Sequence, residues 1–291
     1  MAKCDAMPDT LYTGRFAPSP TGPLHFGSVI AAAASFLDAK SAGGKWLVRI
    51  EDVDEARTEE GATSAILRLL DALGMEWDGE VIVQSRRKAL YRDALASLSH
   101  EIFDCSCSRR DYSGIYPGTC REGAKGPARA VRVKVEDSEI SFTDRIQGKY
   151  SQNLAREVGD FVLFRADGFF AYQLAVVVDD IDQGVNRVVR GADLLDSTPR
   201  QIYLQRLLGA ASPGYAHVPV AVDQAGEKLS KQTRAEPAEA GVDVLFRALE
   251  FLGQNPPIEL RDAAIAEFWK WAVSAWDIEK IPKMARIQEG T

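Results

Sequence analysis

The sequence is short of the features that mark secreted and membrane-spanning proteins. It has only four cysteines in 291 residues, too few for a disulfide scaffold of this length. Its longest apolar stretch, residues 29–37, is much shorter than the roughly 20 residues that a membrane span needs. Met1–Thr10 contains no apolar core of a signal peptide. These absences predict a soluble, cytoplasmic protein.

An excess of positive charge is missing as well. The formal net charge is -7, so contact with nucleic acid requires a local basic face rather than a general positive field. One such face is predicted between residues 105 and 134, where seven basic residues outnumber two acidic ones; an ordinary solvated surface is the alternative. The basic residues are Arg109, Arg110, Arg121, Lys125, Arg129, Arg132 and Lys134.

The first fifty residues have the pattern of a βαβ unit. The hydrophobic content of 46% and the charged content of 26% are those of a globular protein. A β-compatible run at 11–17, an Ala- and Leu-rich segment at 27–40 and an apolar run at 45–50 predict strand, helix and strand. This pattern indicates the α/β class, in which ligands bind beyond the carboxyl ends of the strands.

Caps, breakers and periodicity predict the later elements. We expect an irregular insertion over 101–150, rich in Cys, Gly and Arg, and an Ala-rich helical portion beyond Arg234. The other expected elements are a helix from Thr58 to Gly74, a helix over 85–98, a hairpin over 161–172, a helix from Thr198 to Gly209 and a strand over 217–222.

Two short segments have the composition of a nucleotide site. Between the first strand and helix, residues 15–28 contain His25, Gly27 and Ser28; backbone N–H groups at a helix N-terminus attract phosphate, and a histidine can donate to it. The other segment, residues 228–232, reads Lys-Leu-Ser-Lys-Gln, and its lysines can offset charge on a leaving pyrophosphate. A Pro/Gly turn with a satisfied histidine and a solvated loop are the alternatives.

Taken together, these segments resemble the two signature motifs of class I aminoacyl-tRNA synthetases, and most closely those of the glutamyl branch. The resemblance covers about residues 11–235 and extends to three further segments, 47–54, 171–180 and 189–195. Two positions depart from the family pattern: Ser28 replaces the second histidine of the first motif, and Gln232 replaces the final serine of the second. The resemblance implies a Rossmann-type catalytic domain.

The resemblance also implies a division of the chain. The nucleotide-binding fold would comprise 1–100 and 151–235, with an inserted zinc-binding subdomain at 101–150 and a short helical C-terminal portion at 236–291. Only residues 233–291 follow the lysine motif, so we expect no separate anticodon-binding domain. In this respect the chain is similar to short glutamyl-tRNA synthetase-like enzymes that attach glutamate to the queuosine base in the anticodon of tRNA(Asp).

The implied activity is ATP- and Mg²⁺-dependent activation of L-glutamate to glutamyl-adenylate, followed by transfer to queuosine in tRNA(Asp), by a monomeric enzyme. A short glutamyl-tRNA synthetase that charges the 3' end of tRNA(Glu) is one alternative, and it shares every activation residue. A non-catalytic zinc RNA-binding module is another.

The resemblance assigns residues to each substrate. Glutamate has two carboxylates and one ammonium, so its pocket needs fixed cations and at least one anion. Arg15 and Arg190 are the predicted cations and Glu51 is the anion; Tyr172 and Ser19 complete this pocket. The charges of Arg15 and Glu51 are expected to face a ligand rather than the core. Ordinary surface ion pairs are the alternative. ATP is assigned to His25, Gly27, Ser28, Lys228 and Lys231, of which His25 and Lys231 are the predicted catalytic residues.

Three of the cysteines, Cys105, Cys107 and Cys120, can supply soft ligands for one structural Zn²⁺ per chain. Reduced structural thiols are the alternative, because zinc normally takes four ligands and the first spacing is tight. The resemblance offers Tyr116 as the fourth ligand; the rivals are Tyr112, Asp111 and His100. Cys4 is expected to be a free thiol.

Overall fold

The computed structural model describes residues 11–108, 110–227 and 236–288. Cys4, Arg109, Lys228, Lys231 and Gln232 lie outside the described residues, so the roles predicted for them stay predictions. The α/β class is confirmed. Among the described residues no helix is both long enough and apolar enough to span a membrane.

Twelve strands occur in the described ranges, most of them short. They are β1 (Thr13–Phe16), β2 (Lys45–Ile50), β3 (Ile82–Val83), β4 (Ile102–Cys105), β5 (Ala130–Val133), β6 (Glu139–Asp144), β7 (Gly148–Asn153), β8 (Val162–Phe164), β9 (Arg187–Gly191), β10 (Gly214–Val218), β11 (Val220–Val222) and β12 (Arg286–Gln288).

The α-helices of the same ranges alternate with the strands in the first two thirds of the chain and dominate the last third. They are α1 (Phe26–Ser41), α2 (Ala62–Ala72), α3 (Lys88–Ser97), α4 (Leu154–Glu157), α5 (Tyr172–Asp182), α6 (Thr198–Leu207), α7 (Val242–Phe251) and α8 (Ile265–Ala275). Short 3-10 helices occur at Glu55–Arg57, Gln84–Arg87, Ala192–Ser197, Ile258–Asp262 and Ile278–Lys280.

Parallel strands build the part of the molecule in which the sequence predicts the nucleotide-binding fold. Strand β1 pairs with β2, and β2 pairs with β3, both in parallel. Strand β9 pairs in parallel with β10, and it lies beside β1, where the amide of Asn186 donates to the carbonyl of Thr13 at 3.0 Å. The carboxyl ends of β1, β2 and β9 therefore open toward the same cleft, as expected for ligand-binding α/β sheets.

Helix α1 connects β1 and β2 and is buried along most of its length. Its alanines allow the helix to pack closely against the sheet, and Gly43 has a φ of +64°, a backbone conformation that favours glycine after a helix end. In the core beneath it the indole of Trp46 donates to Ser35 Oγ at 2.9 Å. Phe36 packs edge-on against Trp46 with ring centroids 5.1 Å apart. The predicted βαβ unit is thus confirmed.

The cysteine-containing insertion is more regular than expected. Strands β4, β5 and β8 form an antiparallel sheet, and β6 and β7 form a hairpin. Residues 106–129 supply the irregular part, which connects β4 to β5. Because β5 pairs with β8, the sheet that supports this loop continues past residue 150. The predicted domain bounds stay predictions.

Two predicted elements were wrong in detail. Helix α2 begins at Ala62 rather than Thr58, because Gly61 has a φ of +79° and the amide of Glu59 donates to the carbonyl of Pro20. The expected second strand of the 161–172 hairpin is reduced to one bridge between Phe164 and Phe170. Tyr172 instead begins α5, whose apolar run is buried.

The C-terminal region also differs from its prediction. Pro219 lacks an N–H donor and separates the expected strand 217–222 into β10, which pairs with β9, and β11, which pairs with β12. Strand β12 was not anticipated in a portion expected to be helical. Helices α7 and α8 are nevertheless present there, and their apolar faces pack on α1.

Candidate active site

A single cleft of about 440 Å³ lies at the carboxyl ends of β1, β2 and β9. It brings together every described residue to which the sequence assigned glutamate or ATP. These residues are Arg15, Ser19, His25, Gly27, Ser28, Glu51, Tyr172 and Arg190. Residues from four separate elements and two loops therefore line one cavity of suitable size for a nucleotide and an amino acid.

Arg15 is fixed from behind by a carboxylate of α5. Its Nε lies 3.1 Å from Asp180 Oδ1 and its Nη2 lies 3.5 Å from Asp180 Oδ2. The Arg15 side chain is only 3% exposed. The expectation that Arg15 faces a ligand rather than the core was therefore incomplete, because the guanidinium lines the cleft and also belongs to a buried ion pair.

Glu51, like Arg15, both lines the cleft and belongs to a buried ion pair. Arg49, which is fully buried, donates from Nη2 to Asp180 Oδ1 at 2.7 Å and to Glu51 Oε1 at 3.3 Å. Burial raises the pKa of Glu51, whereas the guanidiniums of Arg49 and Arg15 act in the opposite direction. Arg49 and Asp180 thus join the predicted cation and the predicted anion of the pocket into one hydrogen-bonded unit.

The neighbouring carboxylate, Asp179, anchors α5 to the 3-10 helix and helix that follow β3. It accepts hydrogen bonds from Gln84 Nε2 and Tyr91 Oη, both at 2.8 Å, and from Arg87 Nε at 2.8 Å. Asp179 is completely buried. Since Asp180 follows it directly, this anchor determines where the carboxylate behind Arg15 lies.

Arg190 extends from β9 and is held along one edge of its guanidinium. Its Nε donates to His217 Nε2 at 3.0 Å, and its Nη2 donates to Thr198 Oγ1 at 2.9 Å. The remaining nitrogen, Nη1, is buried and has no hydrogen-bond partner within the part of the chain that the structure describes. A buried cation with one uncommitted donor is suited to a carboxylate ligand.

Tyr172 and the N-terminus of α1 complete the walls. Burial raises the pKa of Tyr172, and the negative charge of Glu51 raises it further, so the phenol stays protonated and can donate a hydrogen bond. His25 is the N-cap of α1, and Gly27 and Ser28 follow in its first turn. The positive end of a 16-residue helix dipole therefore faces the cleft.

The thiols of Cys105, Cys107 and Cys120 form a separate cluster in the insertion. Their sulfur atoms all lie within 4.8 Å of one another. Burial would raise the pKa of the Cys120 thiol, but hydrogen bonds from Tyr116 and Ser106 lower it to about 6. Arg132 also donates from Nε to Cys105 Sγ at 3.3 Å. Burial raises the pKa of the Cys107 thiol, so the thiolate, the form that binds metal ions, is favoured at Cys120 in particular.

Of the candidates for a fourth ligand, Tyr116 is the one beside the thiols. Its Oη lies 3.4 Å from Cys105 Sγ and 3.9 Å from Cys107 Sγ. Tyr112 Oη instead accepts from Arg132 Nη2 at 2.8 Å, and Asp111 accepts from the amide of Ser108 at 2.6 Å. The three thiols are compatible with a zinc ion in composition, and the phenol of Tyr116 lies beside them.

The predicted basic face is smaller than its seven members suggested. Arg132 is buried against the cysteine cluster, and Arg121 pairs with the buried carboxylate of Asp160 at 2.5 Å. These two arginines connect the cysteine loop to the rest of the molecule rather than standing free for phosphate. Arg110, Lys125 and Arg129 are exposed.

Four residues that support the cleft were not assigned a function from the sequence: Arg49, Asp180, His217 and Asp144. Arg49 and Asp180 lie in segments that carry the family resemblance, and this position was the signal available for them. His217 lies in a strand that was predicted, but no pattern in the sequence indicates that the carboxylate of Asp144 contacts it. Only the fold brings these two residues together.

Comparison with protein families agrees with this geometry. The model for the catalytic domain of class I tRNA synthetases (E and Q) matches residues 12–109 and 118–241. Two crystal structures are similar over 96% of this chain and 68% of theirs, each at 25% identity. One is the glutamate-tRNA synthetase of Elizabethkingia anophelis, with a TM-score of 0.78, and the other is a glutamate tRNA ligase of Elizabethkingia meningosepticum in complex with its amino acid, with a TM-score of 0.79.

Curated relatives match over nearly their whole length. A protein of Dechloromonas aromatica is 54% identical over 95% of this chain and 97% of its own. One of Thiobacillus denitrificans is 57% identical over 92% of this chain and 94% of its own. Both relatives are named glutamyl-Q tRNA(Asp) synthetase. The chain therefore belongs to the class I tRNA synthetase (E and Q) family, in the group of its glutamyl-Q tRNA(Asp) synthetase relatives.

Proposed function

We propose that this protein activates L-glutamate with ATP and Mg²⁺ and transfers the glutamyl group to the queuosine base of tRNA(Asp). The observation that carries the activation step is the presence of two arginines and one carboxylate, Arg15, Arg190 and Glu51, in a single cleft, where Arg190 Nη1 is buried without a partner among the described residues. The names of relatives at 50–57% identity support the acceptor.

In the first step an oxygen of the substrate's α-carboxylate attacks the α-phosphorus of ATP, and pyrophosphate leaves. Arg15 and Arg190 supply positive charge for the two substrate carboxylates, and Glu51 supplies negative charge for the ammonium. The N-terminus of α1, with His25, lies where phosphate groups are stabilised. The chain needs no covalent nucleophile, because orientation and charge stabilisation are sufficient for this in-line displacement.

In the second step a hydroxyl group of queuosine attacks the carbonyl carbon of glutamyl-adenylate. An ester forms, AMP leaves and the proton of the hydroxyl is released. The exposed basic residues Arg110, Lys125 and Arg129 are our candidates for contact with RNA phosphates. Lys228 and Lys231 lie outside the described residues, and their contribution to ATP binding and catalysis stays a prediction, as do the monomeric state and the cytoplasmic location.

Glutamate-dependent exchange of labelled pyrophosphate into ATP tests the activation step directly. We expect exchange with glutamate, and exchange at least about tenfold weaker with aspartate or glutamine, because each changes the distance or the charge of the second carboxylate. The assay is run with and without tRNA(Asp). Absence of glutamate-dependent exchange under both conditions would support a non-catalytic RNA-binding protein instead.

The environment of Glu51 predicts a pH dependence. The ammonium of the substrate requires the ionised carboxylate, and burial raises the pKa of Glu51 above its ordinary value of about 4.5. We therefore expect kcat/KM for glutamate to fall as the pH decreases through this raised pKa. In Glu51→Gln, kcat/KM for glutamate should be lower than in the wild type and should no longer fall as the pH decreases. An identical fall in both proteins would assign it to another group.

We also propose that Cys105, Cys107, Cys120 and Tyr116 hold one structural zinc ion. Zinc would connect the start of the 106–129 loop to its middle, since its ligands are the last residue of β4 and three residues of the loop. This role is structural, because the cluster is separate from the residues that line the cleft.

The zinc proposal predicts about one equivalent of metal per purified chain. Cys107→Ser is expected to lose most of this metal, whereas Cys4→Ser should retain it. Tyr116→Phe separates the fourth ligand from its rivals, since it should weaken zinc retention more than Tyr112→Phe does. Elemental analysis after dialysis against a mild chelator measures the wild type and all four variants, and a metal-free wild type would refute the site.

A further inference from the structure

The buried histidine of β10 has a hydrogen-bonding arrangement that only one tautomer satisfies. His217 Nε2 lies 3.0 Å from Arg190 Nε, which is exclusively a donor. Nε2 must therefore be the unprotonated, accepting nitrogen, and the proton must lie on Nδ1. That nitrogen is 2.6 Å from Asp144 Oδ2, an acceptor. Both side chains are completely buried.

Asp144 is itself held in one orientation by the backbone. Its Oδ1 accepts from the amides of Ile146, Gln147 and His217, at 3.0, 2.9 and 3.1 Å. These three donors occupy Oδ1 and leave Oδ2 for the imidazole. Burial would raise the pKa of Asp144, but the hydrogen bonds from His217 and the backbone lower it, so the carboxylate stays ionised and can only accept.

The neutral form of His217 is consistent with its surroundings. Burial lowers the pKa of His217, and the guanidinium of Arg190 lowers it further, although Asp144 acts in the opposite direction. Thr198 Oγ1 accepts from Arg190 Nη2 and also lies 3.2 Å from His217 Nε2. Arg190 is thereby held by hydrogen bonds from Nε and Nη2, and Nη1 is its one nitrogen without a partner among the described residues.

We infer that Asp144 and His217 are positioning residues, which fix the guanidinium of Arg190 so that it can bind a carboxylate of glutamate. We call the hydrogen-bonded series Asp144, His217 and Arg190 the relay. Three elements of the fold bring it together, because β6 ends at Asp144, and Arg190 and His217 face each other in the parallel pair β9 and β10. The inference rests on the proposed glutamate activation and adds to it the residues that orient one substrate-binding arginine.

Asp144→Asn tests the relay with almost no change in shape. The three backbone amides keep the Asn oxygen on their side, so the side-chain NH₂ replaces Oδ2 against His217. Because that group donates, Nδ1 becomes the acceptor and the proton moves to Nε2, where it opposes the N–H of Arg190. We expect KM for glutamate to rise about tenfold or more, as for loss of a hydrogen bond to a charged group, while KM for ATP changes by less than about twofold.

Two variants of His217 provide the matched comparison. His217→Gln keeps a carbonyl oxygen that can accept from Arg190 Nε, whereas His217→Leu removes the acceptor. We expect the glutamine variant to recover much of the glutamate affinity that the leucine variant loses. Asp144→Asn in the glutamine background should then have little further effect on KM for glutamate, because no tautomer remains to be reversed.

Nitrogen NMR of the imidazole gives a readout that does not depend on activity. The wild type should show His217 protonated at Nδ1, and Asp144→Asn should show it protonated at Nε2. If the wild type exchanges pyrophosphate but Asp144→Asn keeps its KM for glutamate, or raises it equally in both backgrounds, the relay is wrong. If the wild type does not exchange at all, the proposed function fails, and this inference with it.

Discussion

Arg15→Lys is expected to lower kcat/KM for glutamate by about one to two orders of magnitude while the protein retains most of its thermal stability. Lysine keeps a positive charge against Asp180, so the buried carboxylate is not left alone with Arg49. It does not keep the planar fork that can bind Asp180 and a substrate carboxylate together. Loss of one charge-assisted hydrogen bond corresponds to roughly 1.5 to 3 kcal/mol, which gives the expected range.

Arg15→Ala separates the two functions of this side chain. It should abolish exchange at least as completely as the lysine variant, and it should also lower the melting temperature, since removing one partner of a buried ion pair costs roughly 3 to 5 kcal/mol. Arg156→Ala is the control, because Arg156 is 73% exposed and pairs with the exposed Asp137. Its effect on exchange and stability should be small.

Pyrophosphate exchange and thermal unfolding, measured on the three variants, check this prediction. Exchange that stays within about threefold of wild type in both Arg15 variants, well inside the expected range, would remove Arg15 from the glutamate pocket.

We expect glutamate transfer to be nearly complete with one acceptor tRNA and nearly absent with the others. Labelled glutamate should be transferred to tRNA(Asp) that contains queuosine, and not to the same tRNA(Asp) without queuosine, because the attacking hydroxyl belongs to the modified base. tRNA(Glu) should not be charged. The two glutamate enzymes of similar structure are longer than this chain, which covers 68% of each.

A full set of acceptors distinguishes the alternatives. Queuosine-containing tRNA(Asp), queuosine-free tRNA(Asp) and tRNA(Glu) are compared at the same enzyme, ATP and glutamate concentrations. Charging of tRNA(Glu) with no dependence on queuosine would establish a short glutamyl-tRNA synthetase. Activation would then remain correct, and only the acceptor would be wrong.

The sequence predicts the βαβ unit well because local rules are sufficient there. Helix α1 follows from its alanines and from the glycines that end it, and β2 follows from an apolar run of the right length. The helix expected from Thr58 fails for an equally local reason. A left-handed residue at Gly61 and a contact of Glu59 with the preceding loop delay the first turn to Ala62.

The support of the pocket is not predictable in the same way. Arg49 lies in an apolar strand, and periodicity gives no reason to expect its guanidinium to be completely buried between Asp180 and Glu51. Asp144 and His217 are separated by 73 positions and meet only through tertiary packing. Family resemblance predicts which residues contact the ligand, whereas the contacts of the residues behind them become visible only in the folded chain.

The basic insertion illustrates the same difference. Composition marks all seven positive residues of 105–134 equally as phosphate contacts. In the structure Arg132 stacks on Tyr116, with its guanidinium 4.0 Å from the ring centroid, and Arg121 binds Asp160. Charge counting cannot separate an arginine that connects two parts of a fold from one that is available to RNA.

Removal of the 3' terminal adenosine from queuosine-containing tRNA(Asp) tests the central claim most directly. If glutamate is attached to the modified base of the anticodon, the trimmed tRNA should accept labelled glutamate to the same extent as the intact tRNA. Complete loss of acceptance on trimming would place the glutamyl group on the 3' end and contradict the proposed function.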